Sequence, residues 1–232
     1  MQEYLRTIRL TKELVALVER TEPDPGPEPN TVEHTPQDFS DIANSVLEEY
    51  SPDKLIVFAY GSLIWNPEFE HTSAEPAVAE GWHRSFCIKL TRWRGTRELP
   101  ALMLALERGR SCTGVAYHLP GLDNKAQIIR LLEREIDANP PTNIPHWINV
   151  STRSGDHRAL TFVADPNGPA YAGKLTHEEV AWNLARAAGH WGSCAQYLYN
   201  TVTKLGSEGI HDEDLWDIQK LVSEEIIKIK GL

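Results

Sequence analysis

One continuous apolar run, Leu55-Ile56-Val57-Phe58-Ala59-Tyr60, ends at Gly61-Ser62-Leu63 and dominates the middle of the chain. Its length is that of a strand, and because every residue in it is apolar, we expect a strand buried on both faces. Further strand candidates follow it, at Ala77–Ala79, Ser85–Thr91, Leu102–Leu106 and Thr113–His118. The Gly109-Arg110-Ser111 segment between the last two predicts a hairpin turn.

Helical patterns dominate the C-terminal third. Thr176-His177-Glu178-Glu179 has the pattern of a capping box, in which a threonine side chain and a glutamate three residues later satisfy the first backbone donors of a helix. The remaining predicted elements are a helix at Asp123–Asp137, a hairpin of Trp147–Ser151 and Ala159–Val163, and helices at Val180–Ala188, Cys194–Leu205 and Asp212–Ile229. Strands followed by helices favour an α+β fold over a doubly wound parallel sheet.

Residues 1–50 are predicted to form an N-terminal helical extension, with the main domain at residues 51–232. Leu10, Leu14 and Leu17 can line one side of a short helix. Prolines and acids then alternate from Thr21 to Asn30, and because proline fixes φ and removes a backbone donor, this stretch predicts an extended linker.

Composition excludes several classes of function. The 232 residues carry 23 lysines and arginines against 33 acids, a net charge of −10, which disfavours nucleic acid and anionic lipid as partners. The three cysteines form no CxxC pair, which is typical of a protein in a reducing compartment. The N-terminus lacks a signal-peptide pattern, and no apolar stretch is long enough to span a membrane. We therefore expect a soluble, cytoplasmic protein; its oligomeric state is not indicated.

Common nucleotide, metal and hydrolase motifs are absent from the sequence. It contains no GxGxxG, GxxxxGK[ST], HExxH or GxSxG pattern, and its nine histidines have no ligand spacing. The sequence therefore predicts no cofactor and no metal ligand.

The turn after the apolar run is the first candidate site. A glycine at position 61 lets consecutive backbone N–H groups between Tyr60 and Leu63 point to one side and form a concave anion site, to which Ser62 adds a hydroxyl. The alternative is a plain strand-to-loop turn, which a four-residue pattern alone favours.

Glu135 is the second candidate. On a helical wheel it lies among Ile128, Leu131 and Leu132, within the apolar stripe of the predicted helix. Burial destabilises a carboxylate and raises its pKa, as a general base that works near neutral pH requires. The alternative is a structural glutamate that pairs with an arginine.

The third candidate is the basic segment Thr91-Arg92-Trp93-Arg94-Gly95-Thr96-Arg97. Because the chain is acidic, we hypothesise that Arg92 and Arg94 bind a carboxylate of a small ligand. A solvated loop is the equally favoured alternative.

These fragments together resemble the ChaC-type γ-glutamylcyclotransferases. The likeness lies in the segments Phe58-Ala59-Tyr60-Gly61-Ser62-Leu63-Ile64-Trp65-Asn66-Pro67, Gly81-Trp82-His83-Arg84-Ser85-Phe86, Gly114-Val115-Ala116-Tyr117, Arg134-Glu135 and Gln196-Tyr197-Leu198. It covers about Lys54 to Leu221. Ala59 stands where some relatives have glycine, and Gln196 where some have glutamate.

The resemblance implies a small mixed β-barrel with packed helices. It implies cofactor-free cleavage of glutathione into 5-oxoproline and Cys-Gly, with Glu135 as general acid and base. The substrate-binding residues that it implies are Val57, Phe58, Ala59, Tyr60, Gly61, Ser62, Leu63 and Tyr197. Two alternatives stay open: a cyclotransferase for other γ-glutamyl peptides or amines, and a non-enzymatic ligand-binding module on the same scaffold.

Overall fold

The computed structural model describes residues 7–121, 123–136 and 138–232. Its helices are α1 (Lys12–Val18), α2 (Pro36–Glu49), α3 (Ser62–Trp65), α4 (Asn124–Glu135), α5 (His177–Leu184), α6 (Cys194–Ser207) and α7 (Glu213–Lys230). Its strands are β1 (Val32–Glu33), β2 (Ile56–Ala59), β3 (Ser73–Leu90), β4 (Ala101–His118), β5 (Ala138–Asn139), β6 (Asn143–Thr152), β7 (Gly155–Ala164), β8 (Ala188–Gly189) and β9 (Gly192–Ser193). Residues 1–6 of the predicted extension, and Asp137 at the end of a predicted helix, lie outside the described residues.

The chain divides into two units. The barrel unit consists of Pro29–Ser85 and Ala105–Tyr171. The helical unit consists of the residues up to Glu28, together with Phe86–Leu104 and Ala172–Leu232. The predicted N-terminal extension is therefore shared between the units, because α1 belongs to the helical unit and α2 to the barrel unit.

A closed barrel with strand order β2-β4-β3-β6-β7 confirms the α+β prediction. Strand β2 runs antiparallel to β4, where Ala59 lies opposite Val115, and parallel to β7, where Val57 lies opposite Leu160. The sheet is therefore mixed. Strand β2 is paired along both edges, and the side chains of Val57, Phe58 and Ala59 are completely buried, as expected for a strand covered on both faces.

The long strands correct one prediction. Gly109-Arg110-Ser111 does not turn the chain but lies inside the 18-residue strand β4, where these three residues are exposed. A Cβ atom at position 109 would lie 2.0 Å from Nδ1 of His83. The glycine therefore leaves room for the His83 ring instead of making a turn, and a side chain at position 109 would require that ring to shift.

The β6–β7 hairpin and helix α2 complete the barrel unit. Strands β6 and β7 form the expected hairpin, with Thr152 opposite Gly155 at its tip. Helix α2 begins with a capping box in which Thr35 and Asp38 each accept a hydrogen bond from the other's backbone N–H. Helix α2 packs against α4, and the Trp147 indole donates to the Val46 carbonyl at 2.9 Å.

The helical unit packs α1, α5, α6 and α7 together. The predicted capping box at Thr176 is present, but α5 ends at Leu184 rather than at Ala188. The side-chain oxygen of the buried Gln219 on α7 accepts hydrogen bonds at 2.8 Å from the backbone N–H groups of Arg9 and Leu10. The backbone at Arg9 and Leu10 is thus fixed to α7. Among the described helices, none has the length and apolar character needed to cross a membrane.

Candidate active site

Strand β2 leads directly into the predicted anion-binding turn. Gly61 follows Tyr60 and is the N-cap residue of the short helix α3. Its carbonyl accepts from the Ile64 N–H at 3.0 Å. The N–H groups of Ser62 and Leu63 are the first in the helix, and such groups have no acceptor within a helix. This geometry agrees with a turn that offers backbone donors to an anion.

Buried groups from β3 and β4 hold this turn in place. Arg84 is only 3% exposed, and its Nη1 donates to the Tyr60 carbonyl at 3.0 Å, while its Nη2 donates to the Thr113 carbonyl. The Tyr117 hydroxyl donates to the Ile64 carbonyl at 3.1 Å. Local sequence patterns assign no role to Arg84 or Tyr117. Both residues lie in segments that carry the family resemblance, which is the one signal in the sequence that points to them.

Contacts from neighbouring strands also fix the backbone of β2, which leads into the turn. A Cβ atom at Gly114 would lie 2.3 Å from the Ala59 carbonyl oxygen, so only glycine permits the observed approach of β4 to β2. The Thr161 hydroxyl donates to the Phe58 carbonyl at 2.9 Å. Because the side chains of Val57, Phe58 and Ala59 are enclosed, these residues position the turn from within the core.

Glu135 is the last residue of α4, and its side chain is 15% exposed. Ile128, Leu131 and Leu132 on the same helix are buried, as the wheel predicts. Burial raises the pKa of the Glu135 carboxyl above its usual range, against the opposing effect of the neighbouring Arg134 guanidinium. The carboxylate also lies at the negative end of the α4 dipole, which further disfavours its charged form.

An ion-pair chain joins Glu135 to the end of α3. Nε of Arg134 donates to Glu135 at 3.0 Å, and Nη1 of Arg134 lies 3.1 Å from Glu68. Glu68 in turn accepts at 2.7 Å from the side chain of Asn66, the C-cap residue of α3. The negative charge of Glu68 adds to the rise in the pKa of Glu135. Glu135 therefore has both the predicted burial and the arginine partner of the alternative interpretation, and burial dominates its pKa.

The remaining predicted residues belong to the helical unit. Nε and Nη2 of Arg92 each donate to the Asp24 carboxylate at 2.9 Å, and this pairing lowers the pKa of Asp24 to about 2. Arg94 is buried, and its Nη1 donates to the Ser193 carbonyl at 2.9 Å and to Gln196 at 3.1 Å. These contacts show that both guanidinium groups have protein partners.

Tyr197 lies in the same unit as the two arginines. Its ring is buried, packs edge-on against Phe86 with centroids 6.3 Å apart, and lies 5.8 Å from the Arg94 guanidinium carbon. The structure thus brings Arg94 and Tyr197 together around the start of α6, where Gln196 also lies.

Acidic residues of the predicted linker bind the basic segment and hold its backbone in place. The Glu28 carboxylate accepts from the backbone N–H groups of Thr91 and Arg92, at 2.5 and 2.9 Å, and from the Thr91 hydroxyl at 2.6 Å. No helix or strand occurs at residues 19–31, all of which the structure describes, as the extended linker predicts. The same residues nevertheless bind the folded unit rather than isolate the segment before them.

Comparison with known proteins gives one consistent family. A family model described as ChaC-like protein matches residues 55–225. A relative from Escherichia coli (strain K12), named glutathione-specific gamma-glutamylcyclotransferase, is 36% identical over 173 residues, which are 72% of this chain and 74% of the relative. A relative from Danio rerio, named glutathione-specific gamma-glutamylcyclotransferase 1, is 28% identical over 71% of this chain and 87% of its own.

A solved structure supports the same fold. The crystal structure of a gamma-glutamyl cyclotransferase specific to glutathione from yeast superposes with a TM-score of 0.66 at 21% identity. The match covers 74% of this chain and 96% of the yeast chain. The barrel with packed helices is therefore shared with a structurally characterised protein.

Proposed function

This chain belongs to the ChaC-like protein family, and we propose that it cleaves glutathione into 5-oxoproline and Cys-Gly. The names of the relatives from Escherichia coli and Danio rerio support this substrate. The observation that carries the proposal is Glu135, a carboxylate with a raised pKa at the position where the resemblance puts the catalytic glutamate.

The reaction is an intramolecular amide exchange. The α-amino nitrogen of the γ-glutamyl group attacks its own γ-carbonyl carbon, a new C–N bond closes the five-membered ring, and the amide bond to the cysteine nitrogen breaks. Because attacker and target share one molecule, effective molarities for such closures reach about 10⁵ M or more. The enzyme's remaining tasks are to fold the chain of the substrate and to move a proton.

Glu135 is proposed to move that proton. An α-amino group has a pKa of about 8 and is mostly protonated at neutral pH, so it cannot attack until a base removes a proton. A glutamate whose pKa is raised by burial is better matched to this step than an exposed one. The attacking nitrogen loses two protons in all, one before attack and one after the ring has closed. The same carboxyl takes each in turn and passes both to the cysteine nitrogen, which departs as an ammonium group, so that no net proton change remains on the enzyme.

The turn after β2 is proposed to hold the negatively charged oxygen atoms of the substrate. Backbone N–H groups at Ser62 and Leu63 are suited to a carboxylate or to the oxyanion of the tetrahedral intermediate. Arg84 and Tyr117 fix the carbonyl groups on either side of those donors, so the donors need not reorganise during the reaction.

A direct assay tests the proposal. We expect purified protein to convert glutathione to equimolar 5-oxoproline and Cys-Gly, detected by mass spectrometry, and Glu135→Gln to lose this turnover. Glu133→Gln is the matched control, because Glu133 is exposed on the same helix. Recovery of intact glutathione would instead support a non-enzymatic ligand-binding module. Turnover of other γ-glutamyl peptides, but not of glutathione, would show that the enzyme is a cyclotransferase with a different substrate.

A reducing compartment such as the cytoplasm is proposed as the site of action. Cys87, Cys112 and Cys194 are all buried, and burial raises the pKa of the Cys194 thiol to about 12. Such a thiol stays protonated and does not react, which is suited to surroundings rich in glutathione. Cell fractionation with an antibody to the chain tests this proposal.

A further inference from the structure

Three potential ligands for a metal ion meet at one end of the barrel unit. Glu75 lies near the start of β3, His118 ends β4, and His157 lies near the start of β7. Each offers one ligand atom, and these atoms all lie within 4.8 Å of one another. The three side chains are partly buried.

Hydrogen bonds within the cluster keep the ligand atoms directed toward one another. Nε2 of His118 lies 3.2 Å from Oε1 of Glu75. The Ser154 hydroxyl donates to the same Glu75 oxygen at 2.6 Å and lies 2.9 Å from Nε2 of His157. The two imidazole rings meet edge to face, with centroids 5.4 Å apart. The ligand atoms of the three residues thus lie close together, and the Ser154 hydroxyl joins Glu75 to His157.

The barrel fixes the backbone of each ligand residue. His118 lies opposite Ile56 of β2, and its carbonyl accepts from the N–H of Thr72 at 2.8 Å. His157 lies opposite Val150 in the β6–β7 hairpin. Residues on paired strands hold a site more precisely than residues on loops, so metal binding here requires only side-chain rotation.

We propose that Glu75, His118 and His157 bind a single Zn²⁺ ion. Two imidazole nitrogens and one carboxylate are a donor set that zinc commonly takes in a tetrahedral arrangement, with a fourth position for water. At zinc–ligand distances of about 2.1 Å, two tetrahedral ligands stand about 3.4 Å apart. The 3.2 Å between Nε2 of His118 and Oε1 of Glu75 already matches this separation. The ligand atom of His157 lies within 4.8 Å of the other two, and rotation of the His157 and Glu75 side chains would shorten these distances to about 3.4 Å.

The proposed zinc site lies away from the candidate anion-binding turn. Ile56, which faces His118, begins β2, whereas Tyr60 follows its last residue. Four residues of strand separate the two positions by about 13 Å. The ion would link the start of β3, the end of β4 and the β6–β7 hairpin. We therefore expect the ion to stabilise the barrel and to leave the proposed cyclotransferase activity unchanged.

Zinc titration of the whole chain tests the site. Tag-free protein is treated with EDTA, freed of chelator, and titrated with ZnCl₂ in a calorimeter. We expect one equivalent to bind, and Tm to rise by about 5 °C or more at a hundredfold excess over Kd. His118→Gln and His157→Gln should each weaken binding at least tenfold. His177→Gln is the matched control, because His177 is a half-exposed histidine of the helical unit.

Further measurements separate a metal site from a hydrogen-bond network. Co²⁺ in place of Zn²⁺ should give the visible absorption of a tetrahedral ion in the parent protein but not in Glu75→Gln. Glutathione turnover should be equal with and without zinc. The proposal is overturned if the parent binds no stoichiometric zinc. It is also overturned if binding is the same in the His118, His157 and Glu75 variants while their Tm falls, since the three groups would then only stabilise the hairpin by hydrogen bonds.

Discussion

The carbonyl oxygen of Tyr60 accepts a hydrogen bond at 3.0 Å from Arg84, a residue 24 positions away on β3. The same buried guanidinium also binds the carbonyl of Thr113 on β4. One planar group with several donors thus ties the candidate anion-binding turn to two strands of the barrel. A lysine carries the same charge but presents it as a single point and cannot reproduce this fork.

Replacement of Arg84 by methionine should therefore impair both stability and catalysis. The Tyr60 and Thr113 carbonyls would lose their charged donor, and each unsatisfied buried acceptor costs about 1–3 kcal/mol. We expect Tm to fall and kcat/KM of the folded protein to fall about tenfold, because a small displacement of the turn misplaces its donors. Thermal melts and steady-state kinetics measure the two effects.

Two companion variants identify Arg84 as a positioning residue. Arg84→Lys should recover part of kcat/KM relative to Arg84→Met, since it keeps one donor and the charge. Arg110→Met, on the exposed part of β4, should leave both Tm and kcat/KM unchanged. A folded Arg84→Met protein with the parental kcat/KM would contradict the proposed role.

Glu135→Gln should abolish most turnover without a loss of stability. The glutamine keeps the shape and removes the proton acceptor, so kcat should fall by about 10²-fold or more. Because the pKa of Glu135 is raised in the folded state, its ionisation opposes folding. The penalty is absent below its unfolded pKa near 4.5 and is fully present above the raised folded value.

The pH dependence of Tm checks this sign. Above the raised pKa, Glu135→Gln should melt at the parental temperature or higher, and the difference should shrink as pH falls toward 4.5, where the parental carboxyl is protonated. The alternative interpretation, a glutamate that mainly anchors Arg134, requires the opposite result: a lower Tm in the variant together with retained turnover.

Local sequence patterns predicted the local structure well. The apolar run at Leu55–Tyr60 became β2, and Ile128, Leu131 and Leu132 formed the buried stripe that carries Glu135. Such patterns report periodicity over a few residues. They cannot report that Glu75, His118 and His157 meet, since 43 positions separate the first pair. Nor can they identify Arg84 as the partner of Tyr60.

The turn predicted at Gly109 shows a second limit of prediction from local sequence patterns. A glycine in a polar segment usually indicates a turn, but here it permits the approach of a histidine ring from another strand. The acids between Thr21 and Asn30 show a third limit. Their composition is that of a linker, whereas Asp24 and Glu28 bind the basic segment. In both cases the residue types are as expected and the long-range partner decides their role.

Arg92 and Asp24 provide a test of substrate binding by the basic segment. If Arg92 binds a carboxylate of glutathione, Arg92→Ala should raise KM several-fold with kcat little changed, because uniform binding is lost. Asp24 is ionised at every assay pH above its pKa of about 2, so it competes for the same guanidinium. Asp24→Asn should therefore lower KM. Unchanged KM in both variants would show that Arg92 does not bind substrate and that its role is to hold Asp24 in place.

Glu68 and Arg134 should shift the pH profile of turnover in opposite directions. The base must be unprotonated to act, so kcat falls as pH drops through the pKa of Glu135. Glu68 raises that pKa and Arg134 lowers it. Glu68→Gln should therefore move the acid limb of the profile to lower pH, and Arg134→Gln should move it to higher pH. Glu133→Gln, on the exposed face of α4, should leave it in place. Equal or unidirectional shifts in the first two variants would show that the acid limb belongs to another group.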